Sequence, residues 1–313
     1  MKELRIFAMI GKRRKVGDFM HKFLRSVGFR MCRTKKEEAQ LKNNLLKDAV
    51  MTERIVIPDD TVYTEYRCEL APGMGISFVG EEGANDTFQC EYYFPYLIGD
   101  YISSQEECSV QRHAERETYG GMLDEYKVGI SLIFYINNSM EYRQRKLKEK
   151  NRRVKSVTLS GLSIEGKILL PIQKTERQIE MAKVASINRN SLLEAAKHGD
   201  EDAMETLTIE DIDLYSKVSR RLGKEDVYSI IETCFMPYGI ECDQYSVIGE
   251  IKDVHVMLNR ITQEKIYNLS IECNDIMFNV GINKKDLLGE PKIGRRFKGQ
   301  LWMMGKLNFE ELM

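Results

Sequence analysis

"RRFKGQLWMMGKLNF", residues 295–309, decides how the last third of the chain is read. Strand alternation puts Phe297, Leu301 and Met303 on one face and Lys298, Gln300, Trp302 and Met304 on the other. The first face is apolar and suits the inside of a small barrel. The second mixes polar groups with the chain's single tryptophan. Gly299 and Gly305 fall where a closing barrel strand would bend. Upstream, "QYSVIGEIKDVHVML" (244–258) reads as a long strand and "NRITQE" as a hairpin loop. "KIYNLSIEC" pairs back, Asn274-Asp275 turns the chain into "IMFNVGI", and Asn283 can cap a short helix, "KKDLLG". A long strand, a meander, a short helix and a closing strand predict an OB-like β-barrel over 234–313. The fifth strand must then come from residues 306–309 or from "FMPYGIE" (235–241).

Residues 174–233 read as a helical segment. Thr175 with Gln178 forms a capping box, and Lys197-His198-Gly199 is a stop signal. Asp200 can cap a short helix, and Thr208 with Asp211 opens another that ends near Gly223. Residues 20–173 read as an α+β sheet domain. Thr34 and Glu37 make a capping box for its helix. "TVYTEYRCEL", "TFQCEYYFPY" and the apolar "KVGISLIFYIN" (127–137) read as strands, and "SVTLSGLSIEGKILLPI" (156–172) as a hairpin around Gly161–Gly166. Residues 1–19 are basic and lack a capped periodic segment, so they are expected to be a non-native or disordered extension. The fold class predicted is therefore α+β, in three parts.

The chain has 313 residues, 42% hydrophobic and 30% charged, with a net charge of −1, as in a globular protein rather than a disordered one. Residues 1–54 hold 15 Lys/Arg and 6 Asp/Glu; the remainder holds 32 and 42, so a basic head precedes an acidic body. The seven cysteines are odd in number, widely spaced and without a CxxC, which argues against a disulfide framework and a zinc site. No metal and no cofactor is expected, and the cytoplasm is the expected compartment. No apolar window reaches membrane-spanning length, and the first residues lack the pattern of a signal peptide. "PGMG" and "YGG" match neither a Walker A loop nor a dinucleotide-binding turn.

Several long phrases carry a resemblance: "FMPYGIECDQYSVIGE", "LLGEPKIGRRFKG", "APGMGI", "EYYFPY", "RHAERETYGG", "LSGLSIEGKILLPI" and "GDEDAMETLTIEDIDLYSKVSRR". From about Met20 to the C-terminus the sequence resembles an uncharacterised clostridial family, a domain of unknown function. The resemblance implies no activity, catalytic residue or cofactor.

Two clusters are candidate sites. His113, Glu115 and Glu117 share one face if their segment is extended, and a His beside carboxylates can act as a general base. The plain alternative is a surface network of ion pairs. Arg295, Arg296, Lys298 and Trp302 could offer phosphate contacts and a stacking platform. The barrel segment 244–309, however, has only 10 basic against 7 acidic residues, and contact of Trp302 with another part of the chain is the expected outcome. The leading reading is a non-catalytic binding or interaction module with a macromolecular partner, protein first, and no membrane. The alternatives are an enzyme using the His113 cluster and single-stranded nucleic-acid binding through the barrel. A large exposed apolar patch would favour the protein partner.

Overall fold

The computed structural model describes residues 21–310 apart from 58–59, 84–86, 113–117, 126 and 149–152. It is a mixed α+β fold. The expectation for residues 1–19 lies outside the described residues.

The chain starts with a 3-10 turn, Lys22–Val27, that buries Phe23, Leu24 and Val27. Helix α1 (Lys35–Lys47) follows, and both halves of the Thr34–Glu37 capping box are present. Strands β1 (Val50–Val56), β2 (Val62–Ala71), β3 (Met74–Gly83) and β4 (Thr87–Leu97) form an antiparallel four-stranded sheet in chain order. Strands β5 (Cys108–Arg112), β6 (Tyr119–Glu125) and β7 (Ile130–Ile136) open a second, ten-stranded sheet, and helix α2 (Ser139–Lys148) follows them.

Strand β8 (Val154–Leu169) corrects the sequence reading. The hairpin expected around Gly161–Gly166 is one continuous strand. Its glycines permit close approach rather than a turn. A Cβ at Gly166 would sit 2.6 Å from the Phe297 ring, and one at Gly161 would sit 3.2 Å from Leu301 Cδ1. The strand is buried continuously from Ser156 to Ser163, with Val157 and Leu159 in one core and Leu162 in another.

Helices α3 (Glu176–Lys197) and α4 (Glu201–Leu222) make a helical hairpin. Thr175 and Gln178 form the expected capping box, and Gly199 turns the chain at φ +89°. The two short helices expected after Asp200 are one. Thr208 does not cap a helix: its hydroxyl donates to the Met204 carbonyl at 2.8 Å, one turn back. A four-residue helix, α5 (Val227–Ile230), leads back to the sheet.

Strands β9 (Cys234–Pro237), β10 (Gln244–Leu258), β11 (Lys265–Cys273), β12 (Ile276–Asn283), β13 (Leu287–Leu288) and β14 (Arg296–Phe309) complete the second sheet. Asn274 and Asp275, both at positive φ, make the two-residue turn between β11 and β12. The Asn283 side chain accepts from the Lys285 amide, as expected of a cap. Five strands pair in a cycle. β10 pairs with β11, β11 with β12, β12 with β8 in parallel, β8 with β14, and β14 with β10. The fifth strand of the expected barrel is thus neither 306–309 nor 235–241. Residues 306–309 are the end of β14, and β9 lies beside the first half of β10. The strand that closes the cycle of pairings is β8, from the far side of the helical hairpin. The ten-stranded sheet therefore crosses the boundaries expected at residues 173 and 234.

Phe297, Leu301 and Met303 are buried in the core of this sheet, as alternation required. Trp302 and Met304 face the other way, into a second core shared with the four-stranded sheet and Phe23. Each such side chain contributes roughly 1.5–3 kcal/mol by leaving water.

Candidate interaction surface

His113, Glu115 and Glu117 lie outside the described residues. The second cluster of sequence-derived residues is visible and mostly engaged inside the molecule. Trp302 is 7% exposed; its Nε1 donates to Asp243 Oδ2 at 2.7 Å. Its ring stacks on Phe23 at 5.2 Å and meets Tyr135 and His21. Alternation gave only the outward direction of Trp302; its ring partners here are His21, Phe23 and Tyr135 rather than the helical segment expected beside it. Burial pushes the Asp243 carboxyl up to about 6, against the pull of the indole hydrogen bond. Burial, reinforced by Lys22, pulls His21 down to about 4.

Arg296 is buried as well. Its Nε and Nη2 donate to the Leu170 carbonyl at 3.1 and 2.9 Å, Nη2 also to the Tyr228 carbonyl at 2.6 Å, and Nη1 to the Ile231 carbonyl. Burial lowers its pKa. Leu170 precedes the α3–α4 hairpin and Tyr228–Ile231 follow it. One guanidinium therefore clamps both ends of the helical excursion to β14. Lys298 reinforces the clamp: its Nζ meets the Tyr228 hydroxyl and lies 4.5 Å from the ring centroid. Lys174 and Glu232 pair across the same root. Arg295 Nη1 donates to the Glu290 carbonyl at 2.9 Å within its own loop. The basic strand thus fastens the root of the hairpin.

The hairpin itself is nearly unburied. Ala203 and Leu207 are the buried residues of α4, and α3 has none among its described side chains. Arg189 bridges the helices to Glu210 and Asp211. Ser186 and Asn190 reach Asp275 on the β11–β12 turn, and Lys197 pairs with Glu106. What remains is apolar and exposed. Met204, Ile212, Tyr215 and Leu222 are 44–75% exposed. At 100° per residue they fall within an arc of about 80° on α4. Met181, Val184 and Ile187 on α3 are also more than half exposed. Charge is segregated along α4. Residues 201–213 carry six carboxylates and no Lys or Arg, and residues 214–222 carry Lys217, Arg220 and Arg221 and no carboxylate. The first end complements the helix dipole's positive pole and the second its negative pole.

Among the described residues, no group of three or more His, Cys, Asp or Glu could hold a metal ion. None of the seven cysteines is in a disulfide, and burial pushes each thiol above its ordinary pKa, Cys108 and Cys273 to about 12. None is poised as a thiolate nucleophile.

A family model described as a domain of unknown function from an E. rectale gene, DUF3881, matches residues 24–305. The chain belongs to this family. The DUF3881 span takes in both sheets, the Arg296 clamp and the whole α3–α4 hairpin. No curated protein and no solved structure matches the chain. No described helix is long and apolar enough to cross a membrane.

Sequence reading placed the candidate surface on the basic strand and passed over the hairpin. A signal was present. α4 carries two apolar stripes, Ala203/Leu207, which is buried, and Met204/Ile212/Tyr215/Leu222, which is exposed. A helix with one neighbour buries one stripe.

Proposed function

We propose that this chain is a non-catalytic interaction module that docks a protein through the exposed face of its α3–α4 hairpin. One observation carries the reading: two 22-residue helices present an apolar stripe that the rest of the described chain leaves uncovered. Exposed apolar surface of this extent on a soluble domain marks a binding surface. The partner would present an apolar helical or sheet face, with Lys or Arg against the acidic end of α4 at 201–213. The Arg296 clamp fixes the hairpin's root, so the surface is held in place before a partner arrives.

The cyclic pairing of β10, β11, β12, β8 and β14 supports reading the ring as an OB-like barrel with its fifth strand drawn from upstream. Nucleic-acid binding by that ring is the weaker reading, because Arg296, Lys298 and Trp302 have internal partners. That none of the seven cysteines forms a disulfide favours a reducing cytosol as the compartment.

The test is photo-cross-linking in the cells that make the protein. A photoreactive residue at Ile187 or Ile212 is expected to give a discrete protein adduct. The same residue at Leu288, 66% exposed at the sheet edge, gives none. Equal labelling at all three positions, or none at the hairpin positions, would refute the docking surface.

A further inference from the structure

A cavity of 140 Å³ lies between the two sheets, away from the hairpin. Its walls come from β1 and β2 on one side, β14 on the other, and the start of α2. Two of its three carboxylates are neutralised. Glu65, 2% exposed, accepts from Arg67 Nε at 2.7 Å and from the Ser77 hydroxyl at 2.6 Å. Glu141 accepts from Arg145 Nε and from Asn138 Nδ2, both at 2.9 Å.

Three groups on the wall remain unmatched. Asn137 is 3% exposed, and its Oδ1 is buried with no donor. Its orientation is fixed, because Nδ2 donates to the Leu97 carbonyl at 3.1 Å and a flipped amide would set oxygen against oxygen. Its backbone is engaged too, with N donating to Gly305 O and O accepting from Arg67 Nη2. The Glu53 carboxylate is the second. A register shift between Met51 and Glu53 re-aims β1 at this point. Bulges do this to side chains beside binding sites. Lys306, on the opposite wall, is the third; neither it nor Glu53 has an ion pair among the described residues. A buried acceptor without a donor is costly and rare.

We infer that this cavity binds a small zwitterionic amino acid, its ammonium on Asn137 Oδ1 and Glu53 and its carboxylate on Lys306. Glu53 and Asn137 Oδ1 suit an ammonium and Lys306 suits a carboxylate, so a zwitterion satisfies all three groups at once. Size sets the class. An engineered cavity of about 150 Å³ takes benzene, so this one suits roughly five to seven heavy atoms, the range from glycine to serine.

The experiment uses the full chain and five probes: glycine, β-alanine, L-serine and, as separate half-ligand controls, propylamine and sodium propionate. Melting temperature is followed at about 20 mM, where even a millimolar site is nearly filled and stabilises the fold by mass action. At least one amino acid is expected to raise the melting temperature by roughly 3 °C. The half-ligands are expected to leave it unchanged. Glu53→Gln and Lys306→Met are expected to keep the unliganded melting temperature and to lose the shift. Saturation-transfer NMR on the same samples reads binding directly, should either variant alter stability. No shift and no saturation transfer with any amino acid overturns the inference. So does an equal response to a half-ligand, or a response that survives both substitutions.

Discussion

Strand β12 and helix α4 are both rich in apolar residues, and the molecule uses them in opposite ways. Seven of the eight residues of β12 are buried, among them Ile276, Phe278, Val280 and Ile282. On α4 only Ala203 and Leu207 are buried, while Met204, Ile212 and Tyr215 stand in water. The strand ring obtains its stability from long-range pairing and a packed core. The hairpin cannot, since a helix draws most of its stability from burying an amphipathic face. Apolar side chains in the ring hold the fold together. Those on the hairpin stay exposed, with nothing among the described residues covering them.

The sharpest way to break this contrast is to attack Trp302, which joins the two sheets. Trp302→Ala should cost roughly 3–5 kcal/mol in denaturant unfolding. A loss below about 1 kcal/mol would mean the indole is not part of the core. Arg296→Met should cost roughly 2–3 kcal/mol, because the carbonyls of Leu170, Tyr228 and Ile231 lose a charged donor. It should also speed proteolysis within residues 171–233 more than elsewhere; uniform cleavage would contradict the clamp.

The Asp243–Trp302–His21 cluster adds a pH signature. The Asp243 carboxyl lies at about 6 in the fold against an ordinary 3.8, so stability is lost as pH rises through that window. His21 lies at about 4 against 6.5, so its contribution grows as pH rises from 4 to 6.5. The two slopes oppose each other. Asp243→Asn removes the first and should leave stability climbing from pH 4 to 6.5, with a gain at pH 7 on the order of 1–2 kcal/mol. A profile that stays flat in the variant would contradict the assignment. A smaller contrast sets two threonine capping boxes side by side. Thr34→Ala, on the helix that buries Leu45, should lower global stability by about 1 kcal/mol. Thr175→Ala should fray α3, seen as lost helical circular dichroism, without moving the global midpoint. Equal midpoint shifts would show that the hairpin shares the core's stability.

Local signals were legible in the sequence. The caps at Thr34, Thr175 and Asn283, the stop at Gly199 and the Asn274-Asp275 turn depend on neighbouring residues alone. The inward set Phe297, Leu301 and Met303 follows from strand periodicity. Glycine chemistry misled where its reason was tertiary. Gly161 and Gly166 look like turn residues, yet they clear space for Leu301 and Phe297, which are far away in sequence. Thr208 has the same side chain whether it caps a helix or bonds back within one, and only the neighbouring turns decide. The outward direction of Trp302 was readable, but what it meets was not. The exposed stripe on the hairpin was missed because apolar periodicity says which side chains align, not whether anything covers them. His113, Glu115 and Glu117 lie outside the described residues.

The most direct measurement is the stability of a variant that charges the hairpin's apolar stripe, Ile187→Lys combined with Ile212→Lys, by denaturant unfolding of the purified chain. Both side chains are more than 60% exposed. If the stripe takes no part in the fold, the midpoint and slope should match the parent to within about 0.5 kcal/mol. A loss of roughly 2 kcal/mol or more, the scale of a buried core side chain, would show that the face is already covered and would contradict the docking surface.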